Sequence, residues 1–155
     1  LTDTRVNRIE TEDCAALAFR MKNGALATSS VTLGAGEDTT RLRFCFAGLT
    51  AESGTAPYTP AQDTWRFIAR PPVTQAEVDA VLERVPEAPA GFAGYLDAVA
   101  DALAGRAGGE VTLADGRRSI ELVTAIYQSA RAGGPVRLPV APSSGLYCGW
   151  RPGGH

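Results

Sequence analysis

The sequence predicts an α+β protein: a mostly antiparallel, open sheet with helices packed on one face. Three observations carry that prediction. Apolar and polar residues alternate through much of the first half, whereas apolar residues recur every three or four positions in the second. Asn23-Gly24 sits between two of the alternating runs and marks an antiparallel hairpin. No unit of 20–50 residues repeats, which excludes a solenoid. Strands followed by helices pack as α+β layers.

The elements follow in order. Residues 6–9 read as a short strand with Arg5 and Arg8 at polar positions, and Thr11-Glu12-Asp13 as a turn. Residues 14–21 (CAALAFRM) read as a strand with Leu17, Phe19 and Met21 on one face. A two-residue type I′ turn at Asn23-Gly24 sets the register of the returning strand, residues 25–33. Met21 then faces Leu26, Phe19 faces Thr28 and Leu17 faces Ser30, leaving Ala16, Ala18, Ala25, Ala27 and Ser29 on the other side. Residues 39–47 (TTRLRFCFA) alternate as a half-buried strand, Leu42, Phe44 and Phe46 against Arg41 and Arg43. Residues 48–60 are turn-rich. Residues 64–69 form a strand with Trp65 and Phe67 on one face, ended by Pro71-Pro72.

Three helices come next. Residues 75–85 carry a stripe of Val78, Val81, Leu82 and Val85. After a linker holding Pro86, Pro89 and Gly91, Phe92, Leu96, Val99 and Leu103 mark a helix ending near Gly105, and Gly108-Gly109 leads into the last one. In that helix Thr112 and Asp115 stand three apart, a capping box with Asp in place of Glu. Ile120, Val123, Tyr127 and Ala130, widened by Leu122 and Ile126, form its apolar face. Arg131 suits the carbonyl end, Gly133-Gly134 supply a left-handed cap, and Pro135 blocks continuation. Val136-Arg137-Leu138-Pro139 reads as an extended strand, and residues 140–155 as a loosely held tail.

Composition bounds the function. The 155 residues suffice for one domain with a core, and a net charge of −2 argues against a nucleic-acid partner. No apolar run approaches the ~20 residues a membrane-spanning helix needs, and no signal peptide is visible. Leu1 in place of Met points to a trimmed product or a fragment of a longer gene. Lys22 is the only lysine among many arginines, a bias that fits a GC-rich bacterium. Cys14, Cys45 and Cys148 are widely spaced with no nearby His. A zinc site is therefore not expected; Cys14 and Cys45 read as buried free thiols, and the odd count fits a reducing cytoplasm.

The segment DGRRSIELVTAIYQSARAGGPVRLP, residues 115–139, closely resembles the closing helix of the Gfo/Idh/MocA family, the glucose–fructose oxidoreductase and inositol dehydrogenase relatives. Asp115, Arg117, Arg118, Glu121, Leu122, Ala125, Tyr127, Ser129, Ala130, Gly133, Val136, Leu138 and Pro139 fall where that family's pattern expects them. TEDCAALAFRMKNGALATSSVTL is similar to the family's hairpin, TTRLRFCFAGLTAE to its next strand, and GFAGYLDAVADALAGRAGGEVTLADGRR to its paired helices. The resemblance covers most of residues 9–139, read as a partial C-terminal domain of the family; residues 75–85 and the tail depart from it.

That resemblance implies an NAD(P)-dependent sugar or polyol oxidoreductase as the parent protein. It also implies parts that this stretch lacks. The family's nucleotide domain carries G-x-G-x-x-G/A, and Gly34-Ala35-Gly36 lacks both the third glycine and the βαβ setting. The family's catalytic lysine lies in an E-K-P motif, whereas Lys22 sits beside a hairpin turn. The only histidine is His155. No catalytic, cofactor-binding or metal-binding residue is therefore assigned, and the chain alone is expected to be inactive and to hold no cofactor, with NAD or NADP belonging to the parent. Its expected partners are the missing N-terminal Rossmann domain and a second copy, joined through the open sheet face; no nucleic acid and no membrane are expected, and the compartment is cytoplasmic. The alternative is a free-standing, non-catalytic α+β dimerisation or binding module; a small domain catalytic by itself finds little support in one histidine and scattered carboxylates.

Individual residues carry two readings each. Tyr127 is a packed helix tyrosine with a hydrogen-bonded tip, or a hydroxyl in a substrate pocket. Asp115 and Arg118 are a helix cap and surface charge, or a pocket rim. Thr28, Ser30 and Thr32 are solvated, or contacts to a partner sheet. Trp65 and Phe67 belong to the core or to an oligomer face.

Overall fold

A computed structural model describes residues 1–87, 89–106 and 109–150. The described elements are β1 (Thr2–Asp3), β2 (Cys14–Arg20), β3 (Leu26–Thr32), β4 (Arg43–Cys45), β5 (Leu49–Ser53), a 3-10 turn (Pro60–Gln62), β6 (Trp65–Ala69), α1 (Gln75–Leu82), α2 (Gly91–Leu103) and α3 (Leu113–Ala132). The fold class is α+β with antiparallel pairing, as the sequence predicts. The strands divide into two three-stranded sheets, β1-β2-β3 and β4-β5-β6. The chain splits into two units, Leu1–Gly36 with Val111–His155, and Glu37–Glu110.

In the first unit the β2–β3 hairpin forms, but its register differs by one residue from the expectation. Phe19 pairs with Ala27 and Leu17 with Ser29. The cause is the turn. Gly24 alone takes a positive φ, 88°, and Asn23 does not. The Met21 amide donates to the Ala25 carbonyl at 2.9 Å and the Gly24 amide to the Met21 carbonyl at 3.0 Å. That is a three-residue loop with a left-handed glycine bulge instead of a type I′ turn. One extra loop residue moves every β3 side chain to the opposite face. Leu17 and Phe19 therefore share a face with Ala25, Ala27, Ser29 and Val31. Ala16 and Ala18 lie with Leu26, Thr28 and Ser30.

The strand expected at residues 6–9 is replaced by bends, and the N-terminal strand is Thr2–Asp3, paired with Ala15 and Cys14. The backbone amides that a strand would use turn inward instead. Those of Arg5, Val6 and Asn7 donate to the Asp13 carboxylate at 2.7, 2.8 and 2.6 Å, and the Asn7 side-chain amide adds a fourth bond at 3.2 Å. Asp13 is 3% exposed.

Helix α3 starts as predicted. The Thr112 hydroxyl accepts from the Asp115 amide, and the Asp115 carboxylate accepts from the Thr112 amide at 3.0 Å. Gly133 ends it in the left-handed region with φ 66°. Its covered face is only partly the predicted one: Ile126, Tyr127 and Ala130 are half-buried, but Thr124 and Ala125 are the buried residues, and Ile120 is 57% exposed. The stretch after Pro139 accounts for the difference. The Val140 amide donates to Glu121 at 3.0 Å, and the Ser144 hydroxyl lies 3.3 Å from the Gln128 carbonyl oxygen. Val140 is itself buried. Residues 140–150, expected to be loose, thus lie along the 121–124–125–128 face, one i, i+3, i+4, i+7 stripe. Val136–Pro139 forms no ladder, so the short strand expected there is absent.

In the second unit the strand expected at residues 39–47 narrows to Arg43–Cys45, although the Ser53 amide still donates to the Leu42 carbonyl and the Phe46 amide to the Leu49 carbonyl. The turn-rich stretch holds a strand after all: β5 is the central strand, pairing with β4 and β6. Helix α1 follows a Thr74–Glu77 capping box. Its Gln75 side chain substitutes for a strand at the free edge of β6, accepting from the Ala69 amide at 3.0 Å and donating to the Phe67 carbonyl at 3.1 Å. A covered edge cannot template another strand. Of the expected α1 stripe only Val78 is buried; Val81 and Val85 are exposed. Helix α2 leaves Phe92, Leu96 and Leu103 exposed at 87, 62 and 86%. Cys45 is exposed, not buried; Cys14 is half-buried, and all three thiols are free. The glycine pair at 108–109 lies partly outside the described residues, and His155 wholly so.

Candidate functional site

The second unit presents an aromatic face. Phe44 pairs through Ala51 with Phe67, and Leu42 through Ser53 with Trp65, so all these side chains project from one side of the sheet. The rings run in a row. Phe46 to Phe44, Phe44 to Trp65 and Trp65 to Phe67 are 6.4, 6.1 and 6.3 Å between centroids, with interplanar angles of 15–26°. Rings from the two outer strands meet above the small residues of β5, which explains why Ala51 and Ser53 are each 6% exposed. The rings themselves remain open: Phe44 is 48% and Phe46 58% exposed. The opposite face is polar, with Arg66 3.1 Å from Glu52. Sequence reasoning found the two outer strands of this face from their alternation. It missed the central one because Leu-Thr-Ala-Glu-Ser is small and polar, with little hydrophobic signal of its own.

Exposure is general. The accessible surface is 12475 Å². Two separate compact bodies, each of half the chain's mass, would together expose about 9,000 Å². Buried hydrophobic residues are confined to Ala51, Val78, Ala125 and Val140 among the described residues.

The first unit holds a shallow cleft of about 330 Å³ that includes Thr4, Glu12, Tyr127, Arg131 and Trp150 in its lining. The Tyr127 hydroxyl donates to the Glu12 carboxylate. The Tyr127 ring stacks on Trp150 at 5.6 Å and 20°. Burial, and then the Glu12 carboxylate, push the phenol up to about 12, so it is a neutral donor at ordinary pH. Both readings of Tyr127 meet here: its tip is hydrogen-bonded, and it lines a cleft.

Asp13, beside the cleft, is held well below the usual carboxylate range, first by the Asn7 and Arg5 amides. Asp115 is lowered by the Thr112 hydroxyl and amide, and Arg118 lies 3.1 Å from it. The structural reading of that pair, cap and surface charge, is the one the geometry fits. Thr28, Ser30 and Thr32 share a face of the first sheet and are exposed; the Thr32 hydroxyl accepts from the Gly34 amide at 3.0 Å. Trp65 and Phe67 stand in the aromatic row. Lys22 lies in the hairpin turn. Among the described residues no helix is long and apolar enough to cross a membrane.

Comparison with protein families gives a match over residues 2–138 to a family described as "Oxidoreductase family, C-terminal alpha/beta domain". The chain belongs to the Gfo/Idh/MocA family, as its C-terminal domain. The matched span includes both sheets and all three helices and ends within the segment that follows α3. Searches of curated proteins and of solved structures return no match.

Proposed function

We propose that this chain is the substrate-side and oligomerisation part of an NAD(P)-dependent sugar or polyol oxidoreductase, and that catalysis requires a nucleotide-binding domain outside this sequence. Membership of the oxidoreductase family supports the parent activity. The observation that carries the structural role is the exposed aromatic row on β4-β5-β6. An open sheet face lined with Phe44 and Phe46 is stabilised by a cover, and a second copy or the nucleotide domain supplies one.

Hydride transfer needs a nicotinamide held against a carbinol and a base to take the proton. The described residues do not fit a dinucleotide. Their strands pair antiparallel, the uncapped helix α2 follows α1 and not a strand, and the first turns of α1 and α3 spend amides on their own Thr74–Glu77 and Thr112–Asp115 boxes. A pyrophosphate would need those amides free. No step is therefore assigned to a residue of this chain; its part is to wall the substrate site and hold subunits together, in the cytoplasm.

The test has two arms. Titration with NAD and NADP should give no heat of specific binding; tight, saturable binding would overturn the division of labour. The reading frame upstream of Leu1 should contain G-x-G-x-x-G and E-K-P. A start codon immediately upstream would favour the free-standing binding module instead.

A further inference from the structure

We infer that residues 140–150 are a strap that closes over α3 and gates the cleft at Tyr127 and Glu12. The segment lies beyond the family match, which ends at residue 138. It nevertheless makes directed contacts at three points along the last three turns of the helix. The Val140 amide bonds Glu121, the Ser144 hydroxyl meets Gln128, and Arg131 donates to the Trp150 carbonyl at 2.6 Å. Glu121, Gln128 and Arg131 stand at intervals of seven and three, one side of a helix. Internal turns make the segment a compact ribbon: the Ser144 amide bonds the Ala141 carbonyl at 2.9 Å and the Tyr147 amide the Ser144 carbonyl at 3.0 Å.

The two ends of the strap are held differently. At its start Val140 is 8% exposed, an apolar anchor. At its far end the attachment is Trp150, whose ring lies on Tyr127, with the Arg131 bond behind it. Trp150 is also a wall of the cleft. Lifting that end alone bares the Tyr127 ring and opens the cleft on one side, while the Val140 anchor keeps the strap in reach. The Glu12 bond holds the Tyr127 hydroxyl and Trp150 covers its ring, so both the N-terminal loop and the strap fix this side chain.

The experiment uses tryptophan fluorescence and hydrogen exchange on the whole chain. In a Trp65→Phe background Trp150 is the sole tryptophan. Its emission should be blue-shifted and poorly quenched by acrylamide. Arg131→Ala should raise the quenching constant at least twofold and speed amide exchange in 144–150. Exchange in 113–125 and at Val140 should stay unchanged. Arg131→Lys should restore part of the protection, since a single charged donor remains. Trp150 quenched like free indole in the parent background would overturn the strap. Loss of protection along all of α3 in Arg131→Ala would overturn the gate, because the segment would then be an integral part of the helix's packing.

Discussion

Replacing Phe46 by serine tests the proposed role of the aromatic face most directly. The residue is 58% exposed and directly follows β4, an outer strand of a three-stranded sheet. An aromatic side chain buries roughly 200 Å² when fully covered, so about 115 Å² of this ring is available to a partner. At about 25 cal/mol per Å² that is worth about 3 kcal/mol per copy. A two-fold contact counts it twice, and association realises only part of such area energies. If half of the paired total is realised, about 3 kcal/mol remains, which weakens the dissociation constant roughly 150-fold. The monomer should lose little, because the ring's described aromatic neighbour is Phe44 at 6.4 Å and its face is open. Sedimentation velocity over a concentration series measures the effect, with urea denaturation of the same samples as the control for folding. Equal dissociation constants for parent and Phe46→Ser, or a parent that stays monomeric at every concentration, would refute the reasoning.

Four further outcomes follow from the geometry. Gly24→Ala places its new carbon in open space, with no atom within 4 Å, so its cost is purely the left-handed backbone, about 1–2 kcal/mol by thermal denaturation. Thr112→Ala removes the hydroxyl that caps α3 and should lower stability by about 1 kcal/mol, with Thr112→Ser retaining most of it. Asp13 has a depressed pKa in the folded state, so its stabilisation is complete above the unfolded carboxylate value and fades as pH falls below about 4. Asp13→Asn should flatten that acid limb and speed amide exchange at residues 5–7, and an unchanged limb would contradict the cradle. Tyr127 has a raised pKa, so its share of stability is present below about pH 10 and lost as pH climbs toward about 12. Ultraviolet titration should show a phenol ionising near 12 that Tyr127→Phe removes.

The hairpin shows how close a local reading can come and where it stops. Asn23-Gly24 located the turn correctly, because glycine's freedom at positive φ is a property of the residue. Both a two-residue turn and a three-residue loop satisfy that dipeptide, and they differ only in whether Asn23 also turns left-handed. The structure takes the three-residue form, and the register of all seven β2–β3 pairs follows. Asp13 was legible as a turn residue. That its carboxylate gathers three amides from six to eight residues away was not, since nothing in Arg5-Val6-Asn7 announces bent backbone.

The candidate site was legible in pieces. Phe44, Phe46, Trp65 and Phe67 were each placed on a strand face from alternation. Their assembly into one row depended on β5, whose side chains are too small to signal a strand. Tyr127 was singled out by its place on the helix, but its partners Glu12 and Trp150 are 115 positions upstream and 23 downstream.

The amino-acid sequence by itself determined the family, the α+β class and both ends of α3. The family came from resemblance over most of residues 9–139; the class and the helix ends followed because capping, left-handed glycines and alternation are short-range physics, decided within three or four residues. Tertiary structure alone decided which face of α3 is covered, which strand is central and which rings stay open. Those depend on what arrives from distant parts of the chain, and in an amphipathic element several faces are nearly equal until a neighbour such as Val140 or Ala51 takes its place.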